Sequence, residues 1–423
     1  MNIIVFEDGL HDNFYPLSLT KPLWELRSGL YSFRERLELF IRKDPKLSNA
    51  GLYFFTREYL APFFRERYPH LSINDYSVFD GNGECFFLNA VAYPSASDFA
   101  LEVNSVVMMG PVPVAARIGA ESMRKPEDSI PAMLANPGLS VIEYDGYPAG
   151  TGKGRKAEYI WDLMDSNPWA LGNDYALAGF AGNGYLRKDV TISGDATQVY
   201  IEEEAAFEPF VFIEASEGPV FIGAGARINS FSRIEGPCMI GRECVIYGAK
   251  IRSGSSIGPF CRIGGEIEQS IFHGYSNKYH DGFIGHSYIG EWINMGALTT
   301  NSDLKNNYTN VKVYTSASRR KTGRTKIGCF MGDFVKTSIG TLINTGSSIG
   351  PGAMLVHAGK LTPCHIPSFS WYIDGETGRP LLFDDFMAVC RRAMARRNVE
   401  VSEEFSALMR TVYDMTSPER TQP

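Results

Sequence analysis

The sequence is poor in cysteine, and its cysteines do not show the spacings of a metal site or a disulfide framework. Only 7 of the 423 residues are cysteine, and no two of them flank a pair of residues. An odd number excludes complete pairing, and the lack of a Cys-x-x-Cys pair argues against a zinc knuckle. We therefore expect reduced thiols, which are typical of an intracellular protein.

An excess of positive charge is also absent. The chain has 41 Lys and Arg against 48 Asp and Glu, for a formal net charge of −7. A nucleic-acid-binding protein usually needs a basic surface, so this class is disfavoured. The first residues, MNIIVFEDG, lack the basic start and long apolar run of a signal peptide or membrane span. We expect a cytoplasmic protein with no nucleic-acid or membrane partner.

A regular repeat of isoleucine stands out against these absences. Isoleucine recurs every six residues from Ile222 to Ile246 and, after one slip, from Ile251 to Ile263. This spacing matches neither the 3.6-residue period of a helix nor the 2-residue period of a strand. Each unit is predicted to be a short strand and a turn that bury one aliphatic side chain. Stacked units of this kind predict a parallel β-helix.

The length of the chain predicts more than one domain. We assign residues 1–185 to an α/β domain, 186–375 to the β-helix and 376–423 to a helical tail, in which Phe and Met recur at helix spacing. We expect the tail helices to cap the open end of the solenoid, where strand edges would otherwise be exposed.

The first domain shows the alternation typical of an α/β sheet. Strands are predicted at Asn2–Phe6, Leu52–Thr56 and Cys85–Asn89, with a helical pattern from Leu30 to Phe40 between the first two. In such sheets ligands bind at the carboxyl ends of the strands. This rule places residues 7–29 at the mouth of a candidate site.

That loop contains PLSLTKP at residues 16–22 and ELRSG at residues 25–29. These motifs resemble the opening of sugar-nucleotide pyrophosphorylase-like proteins, especially a divergent bacterial form fused to a β-helix. The resemblance implies that Lys21 and Arg27 contact a nucleotide or sugar phosphate and that Asp8 helps to hold Mg²⁺. Asn89 stands where ordinary members carry a metal-binding Asp, and Asp174 is a second candidate for the metal.

The first domain also departs from this pattern. Ordinary pyrophosphorylases have a glycine-rich run directly after the first strand, whereas this chain has EDGLH at residues 7–11. Nucleotidyl transfer and loss of that activity therefore both remain open for this domain, because a fold does not by itself establish an activity.

The isoleucine repeat is interrupted by the polar segment IFHGYSNKYHDGF at residues 271–283. His280 in this segment is followed by Gly285 and Gly290, then by NMGA at 294–297 and TTN at 299–301. This series resembles the bifunctional UDP-N-acetylglucosamine pyrophosphorylase and glucosamine-1-phosphate N-acetyltransferase family. The resemblance implies a left-handed β-helix with three six-residue units in each coil.

The resemblance also implies roles for individual residues. His280 is the expected general base, since a neutral imidazole can accept the proton of an attacking amine. Backbone N–H groups on the turns, or the side chain of Asn294 or Asn301, are candidates to stabilise the oxyanion. The expected sugar-phosphate contacts are Arg262, Tyr275, Lys278, Asn294 and Lys305, and the expected acetyl-CoA contacts are Ala297, Arg319, Arg320, Lys321 and Lys336. A solvated loop is the alternative for residues 319–326.

From these residues we predict an acetyl-CoA-dependent N-acetyltransferase that acts on an amino-sugar phosphate, with glucosamine-1-phosphate as the expected acceptor. A UTP- and Mg²⁺-dependent activity that makes UDP-N-acetylglucosamine is predicted only if the first domain is active. By the same resemblance, the chain is expected to form a homotrimer with active sites between subunits.

Three alternatives remain open. One is a sugar-1-phosphate nucleotidyltransferase for another sugar, and the second is a non-enzymatic scaffold that binds a sugar nucleotide. The third is a zinc-dependent carbonic anhydrase of the hexapeptide-repeat type, for which His273, His280 and His286 are the available ligands.

Overall fold

The computed structural model describes residues 1–79, 83–95, 99–109, 112–120, 149–151, 155–184, 190–316 and 318–421. The chain divides into two compact units. The first contains Met1–Phe14, Lys21–Leu26 and Ser32–Tyr159, and the second contains Tyr15–Thr20, Arg27–Tyr31 and Ile160–Pro423. The predicted domain boundary at residue 185 lies outside the described residues.

The first unit is built on a mixed β-sheet. Asn2–Phe6 lies in the interior of the sheet, with parallel neighbours on both sides, as the α/β pattern predicted. The sheet order is Ala149–Thr151, Ser105–Met109, Val112–Ile118, Cys85–Asn89, Asn2–Phe6, Gly51–Phe55 and Ser72–Ile73. Its helices are Phe33–Lys43 and Ala61–Arg67, with short 3-10 helices at Gly9–Phe14, Leu23–Glu25 and Tyr76–Phe79, and further short strands at Ala92–Tyr93 and Arg155–Lys156.

The second unit contains the predicted β-helix, formed by two long sheets of short parallel strands. One sheet runs Val199–Ile201, Val220–Ile222, Cys238–Ile240, Ser255–Ile257, Ile271–Gly274, Tyr288–Glu291, Cys329–Met331, Ser347–Ile349 and His365–Ile366. The other runs Val190–Gly194, Val211–Ala215, Arg233–Glu235, Val245–Ile251, Arg262–Glu268, Asn277–Lys278, Asn294–Met295, Lys336–Thr337, Met354–Val356, Ser370–Ile373 and Glu376–Pro380, with Ala206–Phe207, Arg227–Ile228 and Phe283–Gly285 beside it.

Further strands and helices complete this unit. Thr300–Asn301 pairs with Leu342–Ile343, and Lys312–Tyr314 forms an antiparallel hairpin with Arg319–Lys321. The remaining short strands are Arg27–Ser28 and Tyr31–Ser32, and 3-10 helices lie at Leu17–Leu19 and Ala196–Gln198. The α-helices of the unit are Ile160–Ala178, Phe383–Ala395, Glu403–Met415 and Ser417–Thr421.

The register of these strands confirms that three six-residue units make one coil. Ile222 pairs with Ile240, and Ile240 pairs with Ile257 on the next coil. All three side chains are fully buried in a single column of aliphatic residues. The parallel stacking fits the left-handed β-helix implied by the sequence resemblance.

The segment predicted to interrupt the repeat is instead an ordinary coil, so that prediction was wrong. Ile271 and Phe272 pair with Tyr288 and Ile289, and Asn277–Lys278 pairs with Arg262 and Ile263. The periodicity was hidden because Phe272 and Lys278 fill inward positions that isoleucine occupies elsewhere. One unit later, Ile284 enters the core and the neighbouring Phe283 is only partly buried.

The loop motif at residues 25–29 is divided between the two units, and its second half packs within the β-helix unit. Helix Ile160–Ala178 belongs to the same unit, and its Asn167 accepts the Gly29 N–H at 2.6 Å while donating to the Gly254 carbonyl at 2.7 Å. Gly29 has φ +76°, and a Cβ there would lie 2.4 Å from a carboxylate oxygen of Asp174. Only glycine fits this turn without strain.

The tail helices pack against the side of the β-helix as well as following its last coil. Phe386 of helix Phe383–Ala395 lies edge-on to Phe369 at 4.9 Å and to Phe334 at 5.8 Å between ring centroids. Phe334 and Phe369 both adopt positive φ at turns of the solenoid, which present their rings to the helix. The predicted role as an end cap is therefore incomplete. No helix in the described part of the chain is long and apolar enough to cross a membrane.

The aliphatic column predicts a clear difference between inward and outward positions. Ile240→Ala should lower the free energy of unfolding by about 2–5 kcal/mol, because it leaves a cavity between two coils. Arg227→Ala, at an exposed outward position, should change it by less than about 0.5 kcal/mol. Urea unfolding measures both, and equal effects would contradict the assigned register.

Candidate active site

One outward register position of the β-helix collects polar side chains from successive coils. Arg262 pairs with Asn277, Asn277 with Asn294, and Asn294 with Lys336. Because parallel strands in register are about 4.8 Å apart, these four side chains form a continuous column. Asn277 Nδ2 donates to Asn294 Oδ1 at 3.3 Å, which links two members of the column. Three of the residues predicted from the sequence are therefore brought together with Asn277, which was not predicted.

An aromatic column borders these polar residues at the preceding turn. Tyr275, Trp292 and Phe334 all adopt left-handed backbone conformations, with φ of 53°, 60° and 63°. Tyr275 stacks on Trp292 at 4.4 Å between centroids, and Trp292 stacks on Phe334 at 6.1 Å. The rings make a flat apolar surface of the kind on which a sugar ring can rest.

Asn277, Asn294 and Lys336 of the polar column and two rings of the aromatic column line a cavity of about 250 Å³, which is bounded on its other side by the first tail helix and the residues just after it. The lining residues are Tyr275, Asn277, Trp292, Asn294, Lys336, Val389, Arg392, Ala393, Arg396 and Arg397. Four of them carry positive charge, and none of these lining residues is acidic. The sequence analysis noted the arginine pairs of the tail but did not assign them to a site.

The cations in this cavity are held in unfavourable surroundings. Burial lowers the pKa of Lys336 to about 8, and its Nζ donates to the Trp292 carbonyl. Burial, together with the nearby charges of Arg262 and Arg396, also lowers the pKa of Arg397. Like charges in a partly desolvated site favour the binding of an anion, because the anion relieves both their repulsion and their loss of hydration.

His280 lies at a bend two residues after strand Asn277–Lys278, and its side chain is exposed. Its ring contacts Tyr279 edge-on at 4.8 Å, and Tyr279 packs on Tyr247 at 3.9 Å. Lys278 lies between Asn277 and His280 in the chain and points inward. It is 2% exposed and donates to the His280 carbonyl. Burial lowers the pKa of Lys278 to about 8. Lys278 therefore fixes the backbone at His280 and lies apart from the cavity.

The turn that carries His280 continues into an exposed apolar edge on the next coils. The Leu298 N–H donates to the Asp281 carbonyl at 2.9 Å, and the Gly340 N–H donates to the Ala297 carbonyl at 2.8 Å. Leu298 and Ile339 at this edge are 58% and 68% exposed. Large apolar side chains exposed side by side often mark a contact with another protein surface.

Several predicted residues make contacts that do not place them in the cavity. Arg262 donates to the Glu243 carbonyl at 2.7 Å, and Lys305 donates to the Asn310 carbonyl at 2.8 Å. Asn301 is buried, accepts the Gly285 N–H at 2.8 Å and donates through Nδ2 to the carbonyls of Gly285 and Ser302. Its amide is thus fully used in joining two coils.

The predicted basic loop forms the exposed antiparallel hairpin described above. Arg319, Arg320 and Lys321 are all exposed, and Arg319 lies over the ring of Tyr314 at 5.6 Å. Arg324 instead pairs with Asp165 at 2.7 Å and Asp162 at 3.3 Å on helix Ile160–Ala178. Only part of the predicted cluster therefore remains free to meet a phosphorylated ligand.

In the first unit, Asp8 and Asn89 meet at the carboxyl ends of two neighbouring parallel strands. Asn89 Nδ2 donates to Asp8 Oδ2 at 2.8 Å, and the Leu10 N–H donates to Asp8 Oδ1 at 2.9 Å. Burial raises the pKa of Asp8 despite these hydrogen bonds and the nearby Lys156. The cavity that reaches Asn89 measures about 10 Å³, which is the size of one water molecule.

The other predicted nucleotide contacts have structural partners. Arg27 is 8% exposed and its Nη1 donates to the Leu30 carbonyl at 2.5 Å, while its backbone N–H donates to the Tyr288 hydroxyl at 2.8 Å. Asp174 is fully buried and accepts the Leu30 N–H at 2.9 Å. Lys21 is 2% exposed, and its carbonyl accepts a hydrogen bond from Arg57.

The three histidines considered for zinc have separate surroundings. His286 Nδ1 lies 2.7 Å from Asp303, and His273 Nδ1 lies 3.4 Å from Glu291. Within the described residues, no group of three or more His, Cys, Asp or Glu side chains could hold a metal ion. All seven cysteines are free thiols, as predicted.

Comparisons with known proteins find similarity to sugar nucleotidyl transferases and to bifunctional transferases. Residues 3–179 match the family model described as sugar nucleotidyl transferase. The chain is 33% identical over 234 residues to the bifunctional sugar-1-phosphate nucleotidylyltransferase/acetyltransferase of Sulfurisphaera tokodaii, covering 54% of this chain and 51% of that protein. It is 31% identical over 141 residues to the bifunctional protein GlmU of Aromatoleum aromaticum, covering 32% and 28%.

Among solved structures, the UDP-N-acetylglucosamine acyltransferase from Campylobacter jejuni is similar with a TM-score of 0.30 and 12% identity, over 53% of this chain and 94% of that one. The chain spans about half the length of the first curated relative and less of the second. The comparisons confirm the predicted resemblance to bifunctional nucleotidyltransferase/acetyltransferases and the similarity of residues 3–179 to sugar nucleotidyl transferases.

Lys336 provides a test of the electrostatics of the cavity. Its pKa falls from 10.5 to about 8, which corresponds to about 3 kcal/mol. This cost is fully present below pH 8 and disappears as the pH rises to 10.5, since the lysine is then neutral in both states. Lys336→Met should therefore raise the free energy of unfolding at neutral pH by up to about 3 kcal/mol, and the gain should shrink above pH 8.

Urea unfolding at neutral pH and in the pH window above 8 measures this difference. Lys250→Met, at an exposed position of the same sheet, is the matched control and should have little effect at either pH. A destabilised Lys336→Met protein at neutral pH would contradict the assignment of Lys336 as an unfavourably buried cation.

Proposed function

We propose that the β-helix unit transfers the acetyl group of acetyl-CoA to the amine of a phosphorylated amino sugar, with glucosamine-1-phosphate as the expected acceptor. The observation that carries this proposal is that the exposed His280 follows Asn277, a residue that lines the cationic cavity, by three positions in the chain. Three residues span at most about 11 Å, so a small bifunctional substrate can reach both. The relatives named for this combined activity support the same conclusion.

His280 acts as the general base in this proposal. The amine attacks the thioester carbonyl, and the imidazole takes one amine proton as the carbon–nitrogen bond forms. The tetrahedral oxyanion then collapses and the carbon–sulfur bond breaks. The CoA thiolate leaves and takes the proton that His280 held. Asn294, which is exposed beside the cavity, is the candidate donor to the oxyanion or to a sugar hydroxyl.

A homotrimer fits the exposed surroundings of His280. General-base catalysis benefits from a site that excludes water, because electrostatic interactions are stronger there. Leu298 and Ile339 lie at the same edge and would be covered if a second copy packed against it. We propose that the neighbouring subunit completes the acetyl-CoA side of the site, and that the exposed cations Arg319, Arg320 and Lys321 meet the phosphates of CoA there.

His280→Ala tests the base assignment. Loss of general-base catalysis should reduce kcat by about 10²–10⁴-fold, measured as CoA thiol release in the presence of glucosamine-1-phosphate. His70→Ala, an exposed histidine of the first unit, should keep the wild-type rate. Light scattering should give a three-chain mass for both variants. Unchanged turnover by His280→Ala would reject its role as base.

A second candidate function is nucleotidyl transfer by the first unit, for which the meeting of Asp8 and Asn89 at the strand ends is the specific observation. Carboxylate and amide oxygens are ligands that Mg²⁺ accepts, and the ion commonly binds through one or two carboxylates with substrate phosphates completing its shell. Asp8 and Asn89 would hold the ion, and its positive charge would offset the negative charge of the phosphates of UTP. The match to the nucleotidyl transferase family model supports this assignment.

Asp8→Asn tests this second activity. The substitution removes the carboxylate but keeps a similar volume, so pyrophosphate release from UTP and a sugar-1-phosphate should fall below detection while acetyl transfer stays at the wild-type rate. Asp12→Asn, at an exposed side chain in the same loop, is the matched control. Pyrophosphate release by the Asp8→Asn variant at the wild-type rate would remove Asp8 from the site.

A further inference from the structure

The tail supplies three arginines to the cavity from the last turn of its first helix and the two residues after it. Arg392 and Arg396 are four residues apart and therefore share a face of the helical turn, and Arg397 follows directly. Arg397 Nη2 donates to Asn277 Oδ1 at 2.9 Å, which ties the end of this helix to the polar column of the solenoid. The tail is thus part of the site wall.

These arginines differ from other cations of the β-helix in having no acidic partner. Arg252 pairs with Glu266 at 2.8 Å, and Arg233 pairs with Glu235 at 2.7 Å. In the described part of the chain, Arg392, Arg396, Arg397 and Lys336 take part in no salt bridge. Arg397 Nε is also buried without a hydrogen-bond partner.

A buried donor without an acceptor costs about 1–3 kcal/mol, so it is rare unless a ligand or water satisfies it. Guanidinium groups match phosphate well, because two parallel N–H groups can bind two phosphate oxygens. Four uncompensated cations surrounding a cavity of about 250 Å³ therefore indicate a small phosphorylated ligand. Tyr275 and Trp292 offer an apolar surface for the rest of that ligand.

We infer that the tail arginines Arg392, Arg396 and Arg397, with Lys336, form the phosphate-binding site for the acceptor sugar phosphate. This inference rests on the proposed acetyl transfer for the identity of the sugar, but the phosphate site itself can be tested without turnover. It also gives a role to the tail that the resemblance did not supply.

Isothermal titration calorimetry with glucosamine-1-phosphate, glucosamine and CoA as separate ligands tests the inference in the absence of acetyl-CoA. Wild-type protein should bind glucosamine-1-phosphate and should bind unphosphorylated glucosamine at least tenfold more weakly. The double substitution Arg392→Gln and Arg396→Gln should weaken glucosamine-1-phosphate binding by at least tenfold and leave CoA binding unchanged. Added salt should weaken the wild-type interaction, since it is electrostatic.

Arg391→Gln is the matched control, because Arg391 is exposed on the same helix and does not line the cavity; its affinity should equal the wild-type value. Arg396→Lys keeps the charge and should weaken binding less than Arg396→Gln. Comparing these two variants, and the melting temperatures of all variants, separates loss of binding from a folding defect. Unchanged sugar-phosphate affinity in the double variant would overturn the site. Weakened binding of CoA alone would overturn its assignment to the acceptor.

The outcome also separates this inference from the proposed activity. Arginine-dependent binding of glucosamine-1-phosphate by a protein that transfers no acetyl group would uphold the phosphate site and reject the acetyltransferase. Acetyl transfer by the double variant at the wild-type rate, with wild-type affinity for glucosamine-1-phosphate, would uphold the acetyltransferase and reject the phosphate site.

Discussion

The pairing of one buried aliphatic residue above another, coil after coil, is the constraint on which the second unit depends. Ile222, Ile240 and Ile257 lie in register and fully buried, so every outward position between them is also fixed in register. A column of buried side chains therefore generates columns of exposed ones. The polar column from Arg262 to Lys336 and the aromatic column beside it are consequences of this stacking.

The candidate active site uses that rigidity to hold charges that would otherwise repel one another. Lys336 lines the cavity together with three arginines. Its lowered pKa reflects the free-energy cost of burying its charge. A rigid solenoid can bear this cost because its core is continuous on both sides of the site. The same stacking leaves His280, the proposed base, exposed at an edge where we propose that a second subunit packs.

Much of this could be predicted from the sequence. The six-residue period predicted the β-helix, because each unit has the same buried position, and the spacing of His280, Gly285 and Gly290 singled out His280, which is proposed as the base. The first strands of the α/β unit were also predictable, whereas the hydrogen bond between Asp8 and Asn89 was not predicted. These features depend on local patterns that a single stretch of chain contains.

The rest depends on contacts between distant segments. The cavity joins Asn277 to Arg397, which are 120 positions apart, and no local pattern shows that a tail arginine will meet a solenoid turn. Lys278 looked like a substrate contact, but the alternation of the strand turns it inward. Arg27 and Asp174 resembled nucleotide contacts, yet both hold the turn around Gly29 within the β-helix unit.

The most direct measurement is the release of free thiol from acetyl-CoA by the purified protein, with glucosamine-1-phosphate and unphosphorylated glucosamine compared as acceptors. A site that combines His280 with a cationic cavity predicts rapid release with the phosphorylated sugar and much slower release without the phosphate. Equal rates with both acceptors, or no release with either, would contradict the assignment of this face of the β-helix as an amino-sugar phosphate acetyltransferase site.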